Sequence, residues 1–115
     1  MIESEPRFIQ GIIPFTGAGY TKPVLLAGAS FTVAADKRAQ TLYFRGGNSS
    51  AEMISVVLMR DGKPMRYFPM GAKAATHVQL AVVEDLEPET KLDLMILAPE
   101  GLSGTVIVDL GLVEI

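Results

Sequence analysis

The sequence predicts an all-β protein: an antiparallel β-sandwich or jelly roll of about seven to eight short strands. Three observations carry that expectation. From Ser30 onward, apolar residues recur with a period of two in one segment after another. Clusters of Gly, Pro, Asn and Asp separate these segments at intervals of about 10–14 residues. No segment keeps a helical period of useful length, Ala72 to Ala75 making at most a turn, so no strand–helix alternation competes.

Taken in order, residues 1–28 read as an irregular N-terminal arm, or a first strand plus a loop, ahead of a sandwich domain at 29–115. FIQGII is a short apolar segment between Pro6 and Pro14, and FTGAGYTKP is rich in glycine and proline breaks. Gly17-Ala18-Gly19 lacks the following Gly-Lys-Ser/Thr of a phosphate-binding loop and the third glycine of a dinucleotide loop. Phe31, Val33 and Ala35 then alternate with Thr32, Ala34 and Asp36, and Asp36-Lys37-Arg38 turns the chain. Leu42 and Phe44 alternate with Thr41, Tyr43 and Arg45 before the turn cluster Gly46-Gly47-Asn48-Ser49-Ser50. Asn48-Ser49-Ser50 matches the glycosylation acceptor pattern, but no secretion signal accompanies it, and a plain turn is the expectation.

The segment from Glu52 to Met70 reads as a hairpin through Asp61-Gly62, a pair suited to the two positive φ values of a type I′ turn. That turn sets Arg60 against Lys63, Leu58 against Met65 and Val56 against Tyr67 on a core face. Met53, Ser55, Val57 and Met59 then oppose Arg66 and Phe68 on the other. Pro64 falls where its missing N–H would point outward, so its strand belongs at a sheet edge, with pairing ending before Pro69. Beyond the hairpin, Thr76, Val78, Leu80 and Val82 share one face, opposite His77, Gln79, Ala81 and Val83. An acidic turn from Glu84 to Thr90 leads to Leu92, Leu94 and Ile96. A second turn from Pro99 to Gly104 leads to Val106, Val108, Leu110 and Leu112.

Composition narrows the function. The 115 residues suit one domain, and a net charge of −3 without a basic cluster argues against a nucleic-acid partner. The absence of cysteine excludes disulfides and thiolate metal sites. Acids occupy the start where a signal peptide would need bases, and no apolar run approaches the roughly 20 residues of a membrane span. The expected setting is cytoplasmic or within an assembled particle, with no membrane partner.

No cofactor is expected. The single histidine, His77, cannot hold zinc alone, and Ser55, His77 and Asp93 make a triad only on paper. Asp93 and Asp109 are the carboxylates a glycosidase would need. Glu84, Asp85, Glu87 and Glu89 offer oxygen ligands for calcium, but their spacing is not an EF-hand, and a solvated turn is the simpler account. No catalytic residue is assigned.

Several strands are apolar on both faces. Met53, Val57, Met59, Ala81, Val83, Met95, Leu97, Ile107 and Val113 all oppose core-face residues, where a half-wet sheet would carry polar ones. Either the N-terminal arm or a neighbouring subunit must cover them. The polar residues that interrupt this second face, Tyr43, Arg45, Arg66, His77 and Gln79, are the candidate ligand-binding set, since planar donors beside aromatics suit saccharide or carboxylate recognition. The leading expectation is a non-enzymatic homo-oligomer of structural, coat or scaffold type, or one that binds a protein partner. The alternative is a module for carbohydrate or another small polar ligand, with a small jelly-roll enzyme third. An arm packed on another chain would favour assembly, and a concave polar groove would favour the module.

Overall fold

A computed structural model describes residues 4–82 and 84–115 and has the expected class: two antiparallel sheets packed as a sandwich. Among the described residues nine strands follow in chain order: β1 (Glu5–Thr16), β2 (Gly19–Thr32), β3 (Ala39–Asn48), β4 (Ile54–Arg60), β5 (Lys63–Met70), β6 (Ala75–Gln79), β7 (Asp85–Leu86), β8 (Lys91–Ala98) and β9 (Ser103–Glu114). One sheet has the order β1-β9-β3-β6, with β7 also paired to β3; the other has the order β2-β8-β4-β5. Among the described residues no helix is long and apolar enough to cross a membrane.

The core lies between the sheets and follows the alternation of the sequence. Leu92, Leu94, Ile96 and Ala98 of β8 face Val106, Val108, Leu110 and Leu112 of β9, all essentially without solvent contact. Burying one such side chain contributes about 1.5–3 kcal/mol. Phe44 of β3 stacks on Phe68 of β5, with ring centroids 4.2 Å apart and planes 6° from parallel, and so ties the two sheets together.

Residues 4–28 are not an irregular arm. They form two of the longest strands, one in each sheet, and Ile9, Ile13, Phe15 and Leu26 enter the core. Strand β1 pairs along its whole length with β9, from Glu5 opposite Glu114 to Thr16 opposite Ser103. A sequence window around β1 cannot show a partner about a hundred residues away. The prolines are compatible with the strand because β1 is an edge, where a missing N–H faces the open side. Strand β2 is looser, and its pairing with β8 jumps between Gly19 and Val24 and again between Leu25 and Ser30.

The hairpin has the expected turn, with positive φ at Asp61 (50°) and Gly62 (81°), and β5 lies at the expected edge. Its register departs from expectation one step from the turn. Met59 pairs with Pro64, but Leu58 pairs with Arg66, leaving Met65 as an extra residue. That bulge exchanges the faces of everything beyond it. Phe68 turns into the core, Tyr67 turns outward at 59% exposure, and pairing continues to Ile54–Met70. The physical reason lies in the two prolines. Pro64 and Pro69 are an odd number apart, so in a regular ladder one would need to donate to β4; one inserted residue places both missing N–H groups on the open side.

A similar shift between Thr41 and Tyr43 turns Thr41 inward and leaves Leu42 exposed, against the simple alternation. Strand β6 ends at Gln79, so Val82 is exposed rather than in a core face. The expectations for Val83 and for the first three residues lie outside the described residues.

Candidate functional site

The outer face of the β1-β9-β3-β6 sheet is ordered in rows that cross all four strands. Register places Gln10, Asp109, Arg45 and His77 side by side in one row. The row on one side of it is Phe8, Gly111, Tyr43 and Gln79; on the other side it is Ile12, Ile107, Gly47 and Ala75. Neighbours within a row stand about 4.8 Å apart and successive rows about 7 Å apart, from strand geometry. Four of the five candidate residues, Tyr43, Arg45, His77 and Gln79, therefore meet on one surface.

Glycines shape that surface. The Tyr43 ring lies flat on Gly111, so close that a Cβ there would sit 2.0 Å from the ring edge. At Gly47 and Ala75 the third row has almost no side chain, and a trough of about 560 Å³ opens there, bounded by Arg45, His77, Asp109 and Ile107. A second hollow of about 320 Å³ shares Gly47, Ala75 and Ile107 with it and continues to Ser49 and Lys73. Together they form one groove along the sheet.

Asp109 is the hub of the polar row, a role distinct from the catalytic one its residue type suggests in the sequence. Its Oδ1 accepts from Gln10 Nε2 at 3.0 Å and from the Tyr43 hydroxyl at 3.1 Å, while Oδ2 accepts from Arg45 Nη2 at 2.8 Å. The Arg45 guanidinium lies 5.2 Å from the Tyr43 ring centre, and His77 meets that ring edge-on at 6.2 Å. Burial alone would raise the Asp109 carboxyl, but the donors from Gln10, Arg45 and Tyr43 outweigh it and hold the group below its ordinary value. The bond to Asp109 pushes the Arg45 guanidinium up, and burial followed by that same carboxylate pushes the Tyr43 phenol up.

A carboxyl depressed in the folded state lends stability that is complete above its unfolded value, about 3.9, and is lost as the pH falls through the folded value. Asp109→Asn should therefore cost about 1 kcal/mol at pH 7 and flatten the loss of stability between about pH 5 and 2. Urea midpoints across that range check it. Parallel pH profiles for the two proteins would show that the carboxylate is not held by these donors.

Arg66 does not belong to this surface. The bulge in β5 places it opposite Leu58 in the other sheet, where its Nη2 meets Glu84 at 2.6 Å and donates to the Val82 carbonyl at 3.3 Å. The guanidinium expected to await another chain or a ligand has a carboxylate partner within its own chain. The apolar outward residues also divide between two surfaces, Val57, Met59, Met95 and Leu97 on one sheet, Ile107 and Val113 on the other. Val57 and Met59 are covered by their own chain. The Tyr20 hydroxyl donates to the Met53 carbonyl at 2.8 Å, and Tyr20, Pro23, Pro64 and Tyr67 close over them.

The other candidates are dispersed. Asp93, bonded to Ser30, and Asp109 lie on opposite outer faces, as do Ser55 and His77, so neither pair shares a groove. Glu84 pairs with Arg66 and Arg60, Asp85 accepts from Gln40, and Glu87 approaches Arg38 at 4.0 Å. Among the described residues no three His, Cys, Asp or Glu side chains gather as a metal site. The Asn48 amide is buried and fully engaged with the backbone around it.

No family model matches the sequence, and no curated protein matches it. Solved structures do resemble the fold. The CBM36-1 domain of a multidomain xylanase from the hindgut metagenome of Trinervitermes trinervoides superposes with a TM-score of 0.63 at 16% identity, over 94% of this chain and 96% of that domain. A family 35 carbohydrate binding module from Clostridium thermocellum gives 0.51 at 14% identity, covering 94% and 97%. The VP2 subviral particle of infectious bursal disease virus gives 0.53 at 12% identity, over 96% of this chain and 32% of the viral chain. At such identities the likeness concerns the fold alone.

Proposed function

We propose that the chain is a non-catalytic binding module that holds a saccharide along the outer face of the β1-β9-β3-β6 sheet. The observation that carries this reading is the row Gln10, Asp109, Arg45 and His77 beside the trough at Gly47 and Ala75. Tyr43 is fixed by Gly111 beneath it and Asp109 beside it, so it is pre-organised, and little side-chain freedom is lost when a ligand docks. Ile107 and Ala75 supply the apolar floor that a sugar's C–H face needs, and the polar row supplies donors and acceptors for its hydroxyls. The family 35 carbohydrate binding module and the CBM36-1 domain of a xylanase, which share this fold, lend support at the level of architecture.

Self-assembly through the same face is the second reading, favoured by one observation. Ile12 and Ile107 stand side by side at 73% and 51% exposure, and Phe8, at 53%, lies beyond Gln10 on the same face. Three of the four sheet edges, β1, β2 and β5, carry prolines that blunt them, and the fourth, β6, is only five residues long, so face-to-face contact is the favoured mode. The residues expected to reach into a neighbour are strands of this sandwich, which removes the arm from the argument.

A glycan microarray followed by titration calorimetry, with light scattering at micromolar concentration, tests both readings. The module reading expects a monomer that binds a glycan and loses at least tenfold affinity, about 1.4 kcal/mol, in Tyr43→Ala. An oligomer that binds no glycan and is dissociated by Ile107→Glu would overturn it in favour of assembly.

A further inference from the structure

The charges around the groove differ in sign balance from the rest of the molecule. The chain carries −3, yet the two adjoining hollows are bounded by Arg45 and Lys73 and by a single carboxylate, Asp109. That carboxylate is already occupied by three donors. Arg45 spends one N–H on Asp109, and its side chain remains 58% exposed at the groove edge. A guanidinium has five N–H donors. Lys73 is exposed and takes part in none of the ion pairs formed among the described residues. Its backbone is pinned by an N–H donated to the Ser50 carbonyl at 3.0 Å, with φ of 51°.

Resting on the saccharide reading above, we propose that the groove takes a sugar bearing carboxylates, an oligouronate, with one acidic ring at Arg45 and a later one at Lys73. Ser49, which lines the same hollow as Lys73, is four positions beyond Arg45 and just past the end of β3, or about 13 Å away at strand rise. The two cations therefore mark opposite ends of one track, with the neutral floor of Gly47, Ala75 and Ile107 between them. A carboxylate at Arg45 forms charge-assisted hydrogen bonds through the donors that Asp109 leaves free. Asp109 stays ionised and fixes the guanidinium, so it acts as a positioning residue.

Calorimetry at pH 7 with four probes tests this: oligogalacturonate, the same oligomer methyl-esterified, a neutral xylo-oligosaccharide and inorganic sulfate. The free acid should bind at least tenfold more tightly than the ester, the neutral oligomer or sulfate. Raising salt from 50 to 500 mM should weaken it severalfold. Arg45→Ala and Lys73→Ala should each lower affinity about fivefold or more, Lys73→Ala at unchanged melting temperature and Arg45→Ala with a fall of no more than about 4 °C from its lost bond to Asp109. Equal binding of acid and ester would overturn the charge inference while leaving the module intact. Sulfate matching the oligomer would reduce the site to a simple anion pocket and overturn it. So would uronate binding indifferent to both substitutions, which would place the ligand elsewhere. Binding of no glycan at all would remove the saccharide reading and this inference with it.

Discussion

Asn48→Ala should destabilise the protein by about 3–4 kcal/mol and lower its melting temperature by roughly 12–16 °C. The amide is 4% exposed and works as a four-bonded joint. Its Nδ2 donates to the carbonyls of Glu52 and Gly71, both at 2.9 Å, and its Oδ1 accepts from the Ser50 N–H at 2.9 Å and Ser50 Oγ at 2.8 Å. The loop after β3 is thereby fastened to the end of β5. Alanine removes the amide's half of four bonds, each contributing about 0.5–1.5 kcal/mol, and leaves the buried Ser50 N–H unpaired, while the Gly71 carbonyl keeps the Ala74 N–H and the Glu52 carbonyl keeps the Ser50 hydroxyl. Asn48→Asp sharpens the test, since it keeps the acceptors but points a carboxylate at two carbonyl oxygens. Its folded value would be raised, so its stability deficit should shrink as the pH falls, opposite to Asp109. A loss below about 1 kcal/mol for alanine by urea titration would show that the joint does not hold the loop.

Gly17→Ala is the second large effect, about 3 kcal/mol or more, because the space for a methyl group does not exist. A Cβ on Gly17 would lie 2.3 Å from the Pro99 carbonyl oxygen and 2.8 Å from the Ala98 carbonyl carbon, and backbone atoms have no rotamer by which to leave. The site is clamped from both sides. Gly17 N–H donates to the Leu102 carbonyl at 2.7 Å and the Gly101 N–H donates to the Gly17 carbonyl at 2.9 Å. The chain passes there from one sheet to the other, so a displaced backbone disturbs both. Gly101→Ala is the control, with φ of 80° but nothing within 4 Å of the new methyl, and should cost about 1 kcal/mol. If the two substitutions cost the same, close approach is not what Gly17 is for. The Gly17-Ala18-Gly19 run that invites a phosphate-loop reading is used here for packing.

Particular residues separate what is local from what is not. Leu92, Leu94 and Ile96, then Val106 through Leu112, are legible at once, because alternation in a pleated strand is a property of the chain alone. Asp61-Gly62 is legible for the same reason: positive φ is a demand on the residue and not on its neighbours. Tyr67 and Phe68 are not, because their faces depend on one inserted residue at Met65, which answers to β4 and to two prolines on an open edge. The site divides in the same way. The planar polar set was visible as interruptions of an apolar face, and Tyr43, Arg45, His77 and Gln79 share a surface, while Arg66 is turned to Glu84 by that bulge.

By itself, then, the sequence determined the all-β class, the paired core faces of the last two long strands, the turn of the hairpin and the kinds of side chain available for binding. Tertiary structure alone decided that β1 runs beside β9, that the outward residues belong to two different faces, and that Asp109 stands between Gln10 and Arg45. The reason is range. Periodicity is written by each residue's own φ and ψ, whereas register and sheet order come from burying apolar area between segments far apart in the chain, and that balance is struck only when all of them are in place.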